Sequence, residues 1–257
     1  HIRNGDLDTA LNLINDAIEK DPKNPIFHNL RGAVYLAKED IPTAQKHFGA
    51  ALKIDPNFTT ALNNLAQIEI SQGNETKAKE YLQQILNINE NNEQALISLA
   101  EFAIKAQQIE LGVDYLEQAR SGNKNAKRSR VMLGNYYINS NNITQAELVI
   151  NELDEFAGNQ PDVQLLNAKL YAVKGDIDAA ITIYRDLLKT QPKAAEVYYL
   201  LGNALISIKD DKGAETSLKK ALEFAPESLP TMKSLARLYA LTKKYDEALT
   251  LATEIQK

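Results

Sequence analysis

The stretch PIFHNLRGAVYLAKEDIPTAQKHFGAALKIDPNF, residues 25–58, decides how the whole chain folds. Its apolar residues recur at helical spacing over 26–38 and then again after the polar pair Glu39-Asp40. Pro42 suits the first turn of a second helix, because an N–H there has no partner inside the helix. Pro56 lacks an N–H and restricts the residue before it, so the second helix ends at that point. The stretch therefore predicts a helix, a tight turn and an antiparallel second helix.

The same pattern recurs every 34 residues from one end of the chain to the other. A small residue marks one slot of the second helix in each period: Ala10, Ala44, Ala78, Gly112, Ala146, Ala180, Ala214 and Ala248. Four prolines keep the same register: Pro22, Pro56, Pro192 and Pro226. A strict period of this length predicts a solenoid, in which each unit buries its apolar face against its neighbours.

The period divides the chain into units of one continuous solenoid. Residues 1–24 form a half repeat that holds only a second helix, and seven tandem repeats cover 25–257. Their bounds are 25–58, 59–92, 93–126, 127–160, 161–194, 195–228 and 229–257. We expect an all-α fold, an α-solenoid of at least fourteen helices without a strand, wound as a right-handed superhelix. The third and fourth repeats end in polar residues, so we expect weaker packing there.

Small and large residues alternate at the slots that face the partner helix. The small slot of the first helix holds Gly32, Ala66, Ala100, Gly134, Ala168, Gly202 and Ala236. Large residues surround it: Tyr35, Tyr137, Tyr171 and Tyr239 on the first helix, and Phe48, Leu82, Leu116, Ile150, Tyr184 and Leu218 on the second. Such alternation specifies an interdigitated core.

These residues resemble the tetratricopeptide repeat. The family's pattern places a small residue and an aromatic on the first helix, then alanine, an aromatic, alanine and proline along the second. The residues that match it in order and spacing are Gly32, Tyr35, Ala44, Phe48, Ala51 and Pro56. The family's usual early tryptophan is absent from every repeat, with His28, Leu62, Leu96, Arg130, Gln164, Tyr198 and Met232 in its place. The resemblance covers the whole chain and implies a binding scaffold.

Composition narrows the possible functions. A hydrophobic content of 44% with 25% charged residues is ordinary for a folded protein. The net charge of −5 argues against phosphate backbones as the main partner. The chain has no cysteine, which excludes disulfides, zinc thiolate sites and thiol nucleophiles. No apolar run approaches the ~18–20 residues that a membrane helix needs.

Nothing in the sequence predicts catalysis. No metalloprotease, nucleophile-elbow, P-loop or dinucleotide-binding motif occurs. His28 and His47 occupy core-type slots of one repeat, which favours structural roles over metal binding or general-base catalysis. We therefore predict that the chain is not an enzyme and has no catalytic residues, no metal site and no cofactor.

Two charged clusters have a structural explanation. The pairs Asp6/Asp8 and Asp176/Asp178 share one slot at the entrance to a second helix, where acidic residues cap the helix and complement its dipole. The densest basic stretch has Lys124, Lys127, Arg128 and Arg130, with Arg120 nearby. Nucleic-acid binding would need such charge extended along a face with aromatic residues, so we interpret this stretch as a solvated loop.

The first helices are expected to line the inner groove of the solenoid, because inward slots of the first helix contact partners in the tetratricopeptide family. The polar and aromatic residues in these slots, which we call the groove face, are Asn29, Asn63, Asn64, Gln67, Glu101, Asn135, Lys169, Tyr199, Asn203, Lys233 and Arg237. Apolar residues between them are Ile70, Ile97, Val131, Ile138, Leu165 and Ile206. Amide side chains both donate and accept, so a row of them could bind the backbone of an extended peptide. The alternative is that asparagine is simply abundant in this chain. The family's chaperone-binding carboxylate clamp is not supplied by any three successive repeats.

A narrower resemblance concerns residues 28–38, 54–58 and 247–252. They are similar to tetratricopeptide lipoproteins associated with PEP-CTERM protein sorting and exopolysaccharide production in Gram-negative bacteria. This resemblance implies a lipid-anchored protein of the cell envelope on the periplasmic side, attached through a segment outside this chain. A cytoplasmic location stays open.

The leading hypothesis is a non-enzymatic scaffold that binds a protein or extended peptide, and not nucleic acid, within an envelope export or exopolysaccharide system. One alternative is the repeat arm of a larger enzyme, and a weaker one is an RNA-binding helical repeat. His1–Asn4 match the end of a first helix, and Lys257 falls inside a second helix. We therefore expect an excerpt from a longer array, monomeric apart from contacts made by its cut ends, with Ile14, Leu249 and Ile255 near those ends.

Overall fold

The chain folds into α-helices joined by short turns, as the period predicts. The structure is a computed structural model that describes residues 7–255, so the predicted helix end at His1–Asn4 lies outside the described residues. The part described contains fifteen α-helices and no strand. In chain order these are α1 (Leu7–Lys20), α2 (Pro25–Ala37), α3 (Ile41–Ile54), α4 (Thr59–Ser71), α5 (Glu75–Ile88), α6 (Glu93–Lys105), α7 (Ile109–Gly122), α8 (Lys127–Asn139), α9 (Ile143–Ala157), α10 (Pro161–Lys174), α11 (Ile177–Thr190), α12 (Ala195–Ser207), α13 (Asp211–Phe224), α14 (Leu229–Leu241) and α15 (Tyr245–Ile255). The predicted fold class is confirmed.

Short polar residues fix where the second helices begin. The Asp40 carboxylate accepts a hydrogen bond from the Thr43 N–H at 3.2 Å. The predicted cap at Asp176 is confirmed, because its carboxylate accepts from the Ala179 N–H at 3.2 Å. Each such bond satisfies a helix N–H that has no partner within the helix. Asp6 of the other acidic pair lies outside the described residues.

The turn inside each helix pair contains one residue with left-handed backbone. These residues are all in one slot: Glu39, Gly73, Gln107, Asn141, Gly175, Lys209 and Lys243. The residue after it closes the turn with a long backbone hydrogen bond, such as Asp40 N–H to Tyr35 C=O at 2.9 Å and Gln108 N–H to Ala103 C=O at 2.8 Å. This pattern satisfies the last carbonyls of the first helix. The bond recurs in every pair, and only two of the seven turns use glycine.

The small slots bring paired helices into direct contact. A Cβ added to Gly32 would lie 2.6 Å from the Phe48 ring, and one added to Gly202 would lie 2.7 Å from Leu218. Both distances are shorter than any real carbon contact. The predicted alternation of small and large residues therefore specifies how closely the helices approach.

Contacts divide the chain into two compact units, 1–129 and 130–257, with the division inside α8. The first unit holds three clusters of buried side chains, built around Val34, Phe48 and Leu82. The second unit holds a larger cluster that runs from Ala168 to Tyr239. Ile14, expected near an exposed end, is instead buried beside Val34.

We predict that Ala180→Leu destabilises the protein by about 1–3 kcal/mol. Ala180 is fully buried within the core cluster of the second unit, so added methyl groups must displace the packed helices. Thermal unfolding of the two proteins measures the effect. The matched control is Ala240→Leu on the exposed side of α14, which should change stability by less than about 0.5 kcal/mol. A thermal midpoint for Ala180→Leu equal to or above that of the parent would contradict the packing argument.

Candidate functional site

In the first unit the groove face is formed by amides and one carboxylate. Asn29 is buried, and its side-chain oxygen accepts a hydrogen bond from the Asn64 amide at 2.9 Å. The side-chain oxygen of Asn63 is buried and accepts no hydrogen bond from residues 7–255. Gln67 and Glu101 are exposed. The structure therefore links α2 and α4 through amides and leaves Gln67 and Glu101 at the surface.

A shallow cleft of about 210 Å³ lies beside Glu101 in this unit. Its lining includes Ile70, Ser98 and Phe102. Ser98 is buried and Ile70 is half-buried, so the cleft combines apolar walls with a carboxylate at its edge. Such a combination can hold one side chain of an extended segment while the carboxylate contacts a donor on it.

In the second unit the groove-face amides are oriented by their own helices. The Asn135 side-chain amide donates to the Val131 carbonyl at 2.9 Å. The Asn203 amide donates in the same way to the Tyr199 carbonyl at 3.0 Å. Lys169, in the corresponding slot of α10, donates to the Asn135 oxygen at 3.1 Å. In each asparagine the NH₂ group therefore donates to a carbonyl of the same helix, and the side-chain oxygen points away from that carbonyl.

One ion pair in each unit joins the groove face to the next first helix. Glu101 pairs with Arg128 at 3.0 Å in the first unit. Lys169 pairs with Glu196 at 2.8 Å in the second unit, with the charges reversed. Sequence reasoning missed Arg128 and Glu196 as groove residues. The sequence contained a signal for both residues, because they occupy the same slot of the repeat two periods apart and both are charged.

Two cations of the groove face have no such partner. Lys233 and Arg237 are exposed on α14 and lie one helical turn apart. Within residues 7–255, neither forms an ion pair. The groove face of the second unit therefore carries excess positive charge, although the chain as a whole is acidic.

Of the apolar residues expected in the groove, Ile70 and Val131 are half-buried, and the others differ in burial. Ile97 and Ile138 are buried, so their placement in the groove was wrong: they pack into the interior of the helix stack. Leu165, Tyr199 and Ile206 are partly buried at the edge of the second unit's core cluster. Tyr199 and Ile206 lie on the same helix as Asn203, each within about one turn of it.

The basic stretch before and within α8 is not entirely a solvated loop. Lys127, Arg128 and Arg130 lie inside the helix. Arg130 is buried, and its guanidinium contacts the Glu152 carboxylate at 2.9 Å. The loop interpretation was therefore wrong for this residue, because Glu152 compensates the charge that burial would otherwise make costly.

The two described histidines have structural surroundings. The His28 ring donates to the Pro22 carbonyl at 3.0 Å. The His47 ring stacks on Tyr35 with centroids 5.3 Å apart. Burial and the nearby Arg31 charge lower the pKa of His47 below its ordinary value of 6.5. Across residues 7–255 there is no group of three or more potential ligand side chains that could hold a metal ion.

Comparison with models of protein families identifies the family to which these helical repeats belong. Three models described as tetratricopeptide repeat match residues 13–46, 35–100 and 165–228, which together make up more than half of the chain. The chain belongs to the tetratricopeptide repeat family. Among curated proteins, none matches this tetratricopeptide chain in sequence. Within residues 7–255, none of its helices has the length and apolar character that crossing a membrane requires.

Solved structures share the tetratricopeptide fold at low sequence identity. A protein from Parabacteroides merdae is 20% identical, with a TM-score of 0.59, over 92% of this chain and 93% of its own. A structure described as the functional characterization of Pseudomonas aeruginosa pilF is 21% identical, with a TM-score of 0.66, over 83% of this chain and 97% of its own. A chain of the APC/C hetero-tetramer Cut9–Hcn1 is 18% identical, with a TM-score of 0.70 over 91% of this chain, but the match spans only 46% of that longer chain.

An electrostatic cluster of the second unit is centred on Glu215. Its two carboxylate oxygens contact Lys219 at 2.7 Å and Lys244 at 2.6 Å. The Tyr239 hydroxyl donates to the same carboxylate at 3.4 Å. Hydrogen bonds from Lys219 and Lys244 lower the pKa of Glu215 from 4.5 to about 2. The cluster therefore joins α13 to the turn before α15.

We predict that Glu215→Gln lowers the thermal midpoint at neutral pH. The native carboxylate binds a proton less readily than the unfolded one, so its stabilisation is present above pH 4.5 and is lost as the pH falls towards about 2. The difference between parent and variant should therefore shrink across this window. Glu227→Gln, at an exposed position, serves as control. A difference that stays constant down to pH 2 would refute the charge argument.

Proposed function

We propose that this tetratricopeptide chain is a non-enzymatic scaffold that binds an extended segment of a partner protein along its groove face. The observation that carries the proposal is the fixed orientation of Asn135 and Asn203. Each donates to a carbonyl of its own helix, at 2.9 and 3.0 Å, so each side-chain oxygen is held in one direction. An oriented amide oxygen can accept from a backbone N–H without selecting a side chain.

Preorganisation supports binding by these amides. A side chain that is already immobilised loses little conformational entropy when a ligand contacts it. Asn135 also accepts from Lys169, whose charge is compensated by Glu196 at 2.8 Å. The chain Asn135–Lys169–Glu196 therefore extends polar contact across three successive first helices. An extended segment lying across the helices would meet one polar group in each repeat.

The same face offers an apolar anchor and uncompensated charge. Tyr199 is partly buried at the edge of the core cluster, so its ring is held in place while part of it remains accessible. Lys233 and Arg237 are exposed on the adjacent α14. These cations favour a partner segment with acidic side chains near the end that contacts α14.

We further propose that this scaffold works in a bacterial envelope export or exopolysaccharide system, lipid-anchored on the periplasmic side. The support is the likeness of residues 28–38 and 54–58 to tetratricopeptide lipoproteins of PEP-CTERM systems. An epitope-tagged full-length protein in its source bacterium should fractionate with the envelope and leave it only with detergent. Recovery in the cytoplasmic fraction would refute this setting and leave peptide binding untouched.

We predict that Asn135→Ala and Asn203→Ala together weaken binding to an array of immobilised peptides of mixed sequence. The loss should be similar for all peptides that bind the parent, because these amides contact backbone groups. Circular dichroism should show unchanged helicity, since both residues are half-buried on one helix face. The matched control is Asn151→Ala on the exposed side of α9, which should bind as the parent does.

The same array separates the contribution of charge. Lys233→Ala with Arg237→Ala should weaken binding of acidic peptides and leave neutral ones unchanged, and added salt should reproduce the effect. Lys212→Ala, an exposed cation of α13, is the matched control. Equal binding by the parent and both double variants would show that the groove face is only solvated.

A further inference from the structure

Ala103 on α6 is an exception in a slot that otherwise holds large residues. The corresponding residue is a tyrosine in four other helix pairs: Tyr35, Tyr137, Tyr171 and Tyr239. Ala103 is itself buried, so the difference concerns space inside the fold. Glu101 of the groove face is two residues away, which places it about 200° around the helix. The vacant space therefore lies on a different side of α6 from the groove face.

The tyrosines in this slot show what a ring does there. The Tyr35 ring stacks on His47 with centroids 5.3 Å apart and planes inclined by 16°. In the pair that contains Ala103, the slot of His47 holds Tyr115. The hydroxyl of Tyr239 donates to the Glu215 carboxylate of the preceding second helix at 3.4 Å. Lys79 occupies the same position relative to Ala103 as Glu215 does relative to Tyr239. Around Ala103, both the stacking partner and a polar partner for the hydroxyl are present without the ring.

A cleft of about 450 Å³ opens at this place. α6 contributes Leu99 and Ala103 to its lining, α7 contributes Leu111 and Tyr115, and α5 contributes Lys79 and Gln83. All six belong to the first compact unit, and no residue of the groove face lines the cleft. Its volume falls within the roughly 300–1,000 Å³ typical of ligand sites.

We propose that this cleft binds the side chain of a tyrosine from a partner polypeptide, whose ring stacks on Tyr115 as Tyr35 stacks on His47. The site supplies a cation where the Tyr239 hydroxyl meets a carboxylate. Lys79 lines the cleft, while its ammonium pairs with Glu75 at 2.6 Å and lies 5.4 Å from the Phe102 ring centroid, and these two residues are outside the lining. A rotation of this flexible, partly exposed side chain brings the ammonium to the cleft, where it can donate to the oxygen of the incoming hydroxyl and make the site complementary to tyrosine.

A residue in a polypeptide fits the cleft better than a free phenol. The cleft is open on its outer side, where the exposed Thr76, Glu80 and Gln83 supply polar groups for a flanking backbone. A free phenol would leave these groups unused. Through this cleft the chain would bind a partner at a surface that is separate from the groove face.

The test uses capped Gly-Gly-Tyr-Gly-Gly, the same peptide with alanine in place of tyrosine, and p-cresol. Saturation-transfer NMR on the intact chain should show the tyrosine ring protons in contact with the protein and much weaker signals from the other two probes. Ala103→Tyr should place the chain's own ring in the cleft and abolish the signal while preserving the thermal midpoint. Ala240→Tyr is the control and should bind as the parent does.

A second variant keeps the proposal testable if Ala103→Tyr does not fold. Tyr115→Leu removes the stacking ring and should weaken the peptide about two- to tenfold, the effect expected for one aromatic pair. Asn151→Ala, on the exposed side of α9, should leave it unchanged. Binding of the alanine peptide as strong as that of the tyrosine peptide, or an undiminished signal with Ala103→Tyr, would overturn the proposal. Equal affinity for p-cresol would overturn its assignment to a polypeptide.

Discussion

The close approach of two helices at a slot with no room for a larger side chain governs this fold. A Cβ at Gly32 would lie 2.6 Å from Phe48, and Ala180 is fully buried at the corresponding contact of another pair. Packing at this density gives each helix one rotational position. Because the contact recurs every 34 residues, the same slots of each first helix lie on the groove side.

Residues in the groove-side slots differ from repeat to repeat, and the two units differ in the charge that these residues carry. In the first unit Glu101 is compensated by Arg128, and in the second Lys169 is compensated by Glu196. The pair of Glu101 with Arg128 is exposed and contributes little to stability, and Lys169 of the second pair is half-buried. Both pairs neutralise the face on which they lie. Lys233 and Arg237 are the exception, since they form no ion pair within residues 7–255. Charge selectivity of the proposed groove is therefore concentrated on α14.

Departures from the repeat are where this chain acquires individual sites. Ala103 occupies a slot that Tyr35 and Tyr239 fill in other helix pairs, and it lines a cleft of about 450 Å³. A departure from the repeated residue therefore coincides with a cleft that the proposed tyrosine site uses.

The helices, their order and the burial of the repeated apolar slots could be predicted from the sequence, because each depends on residues close together in the chain. The cap at Asp176 and the contact between Gly32 and Phe48 are of this kind. The position of the left-handed turn residue could not be predicted from the sequence, because five of the seven turns have a residue other than glycine there. A backbone hydrogen bond across the turn closes each of them.

Only the tertiary structure decided which side chains meet between helices. Arg130 belongs to a basic stretch in the sequence, yet it is buried against Glu152 from α9. Ile97 and Ile138 occupy slots of the groove side, yet neighbouring helices cover them. Periodicity assigns a residue to one face of its own helix. The neighbour that covers that face, and the charge or space that the neighbour brings, depend on how separate helices pack together.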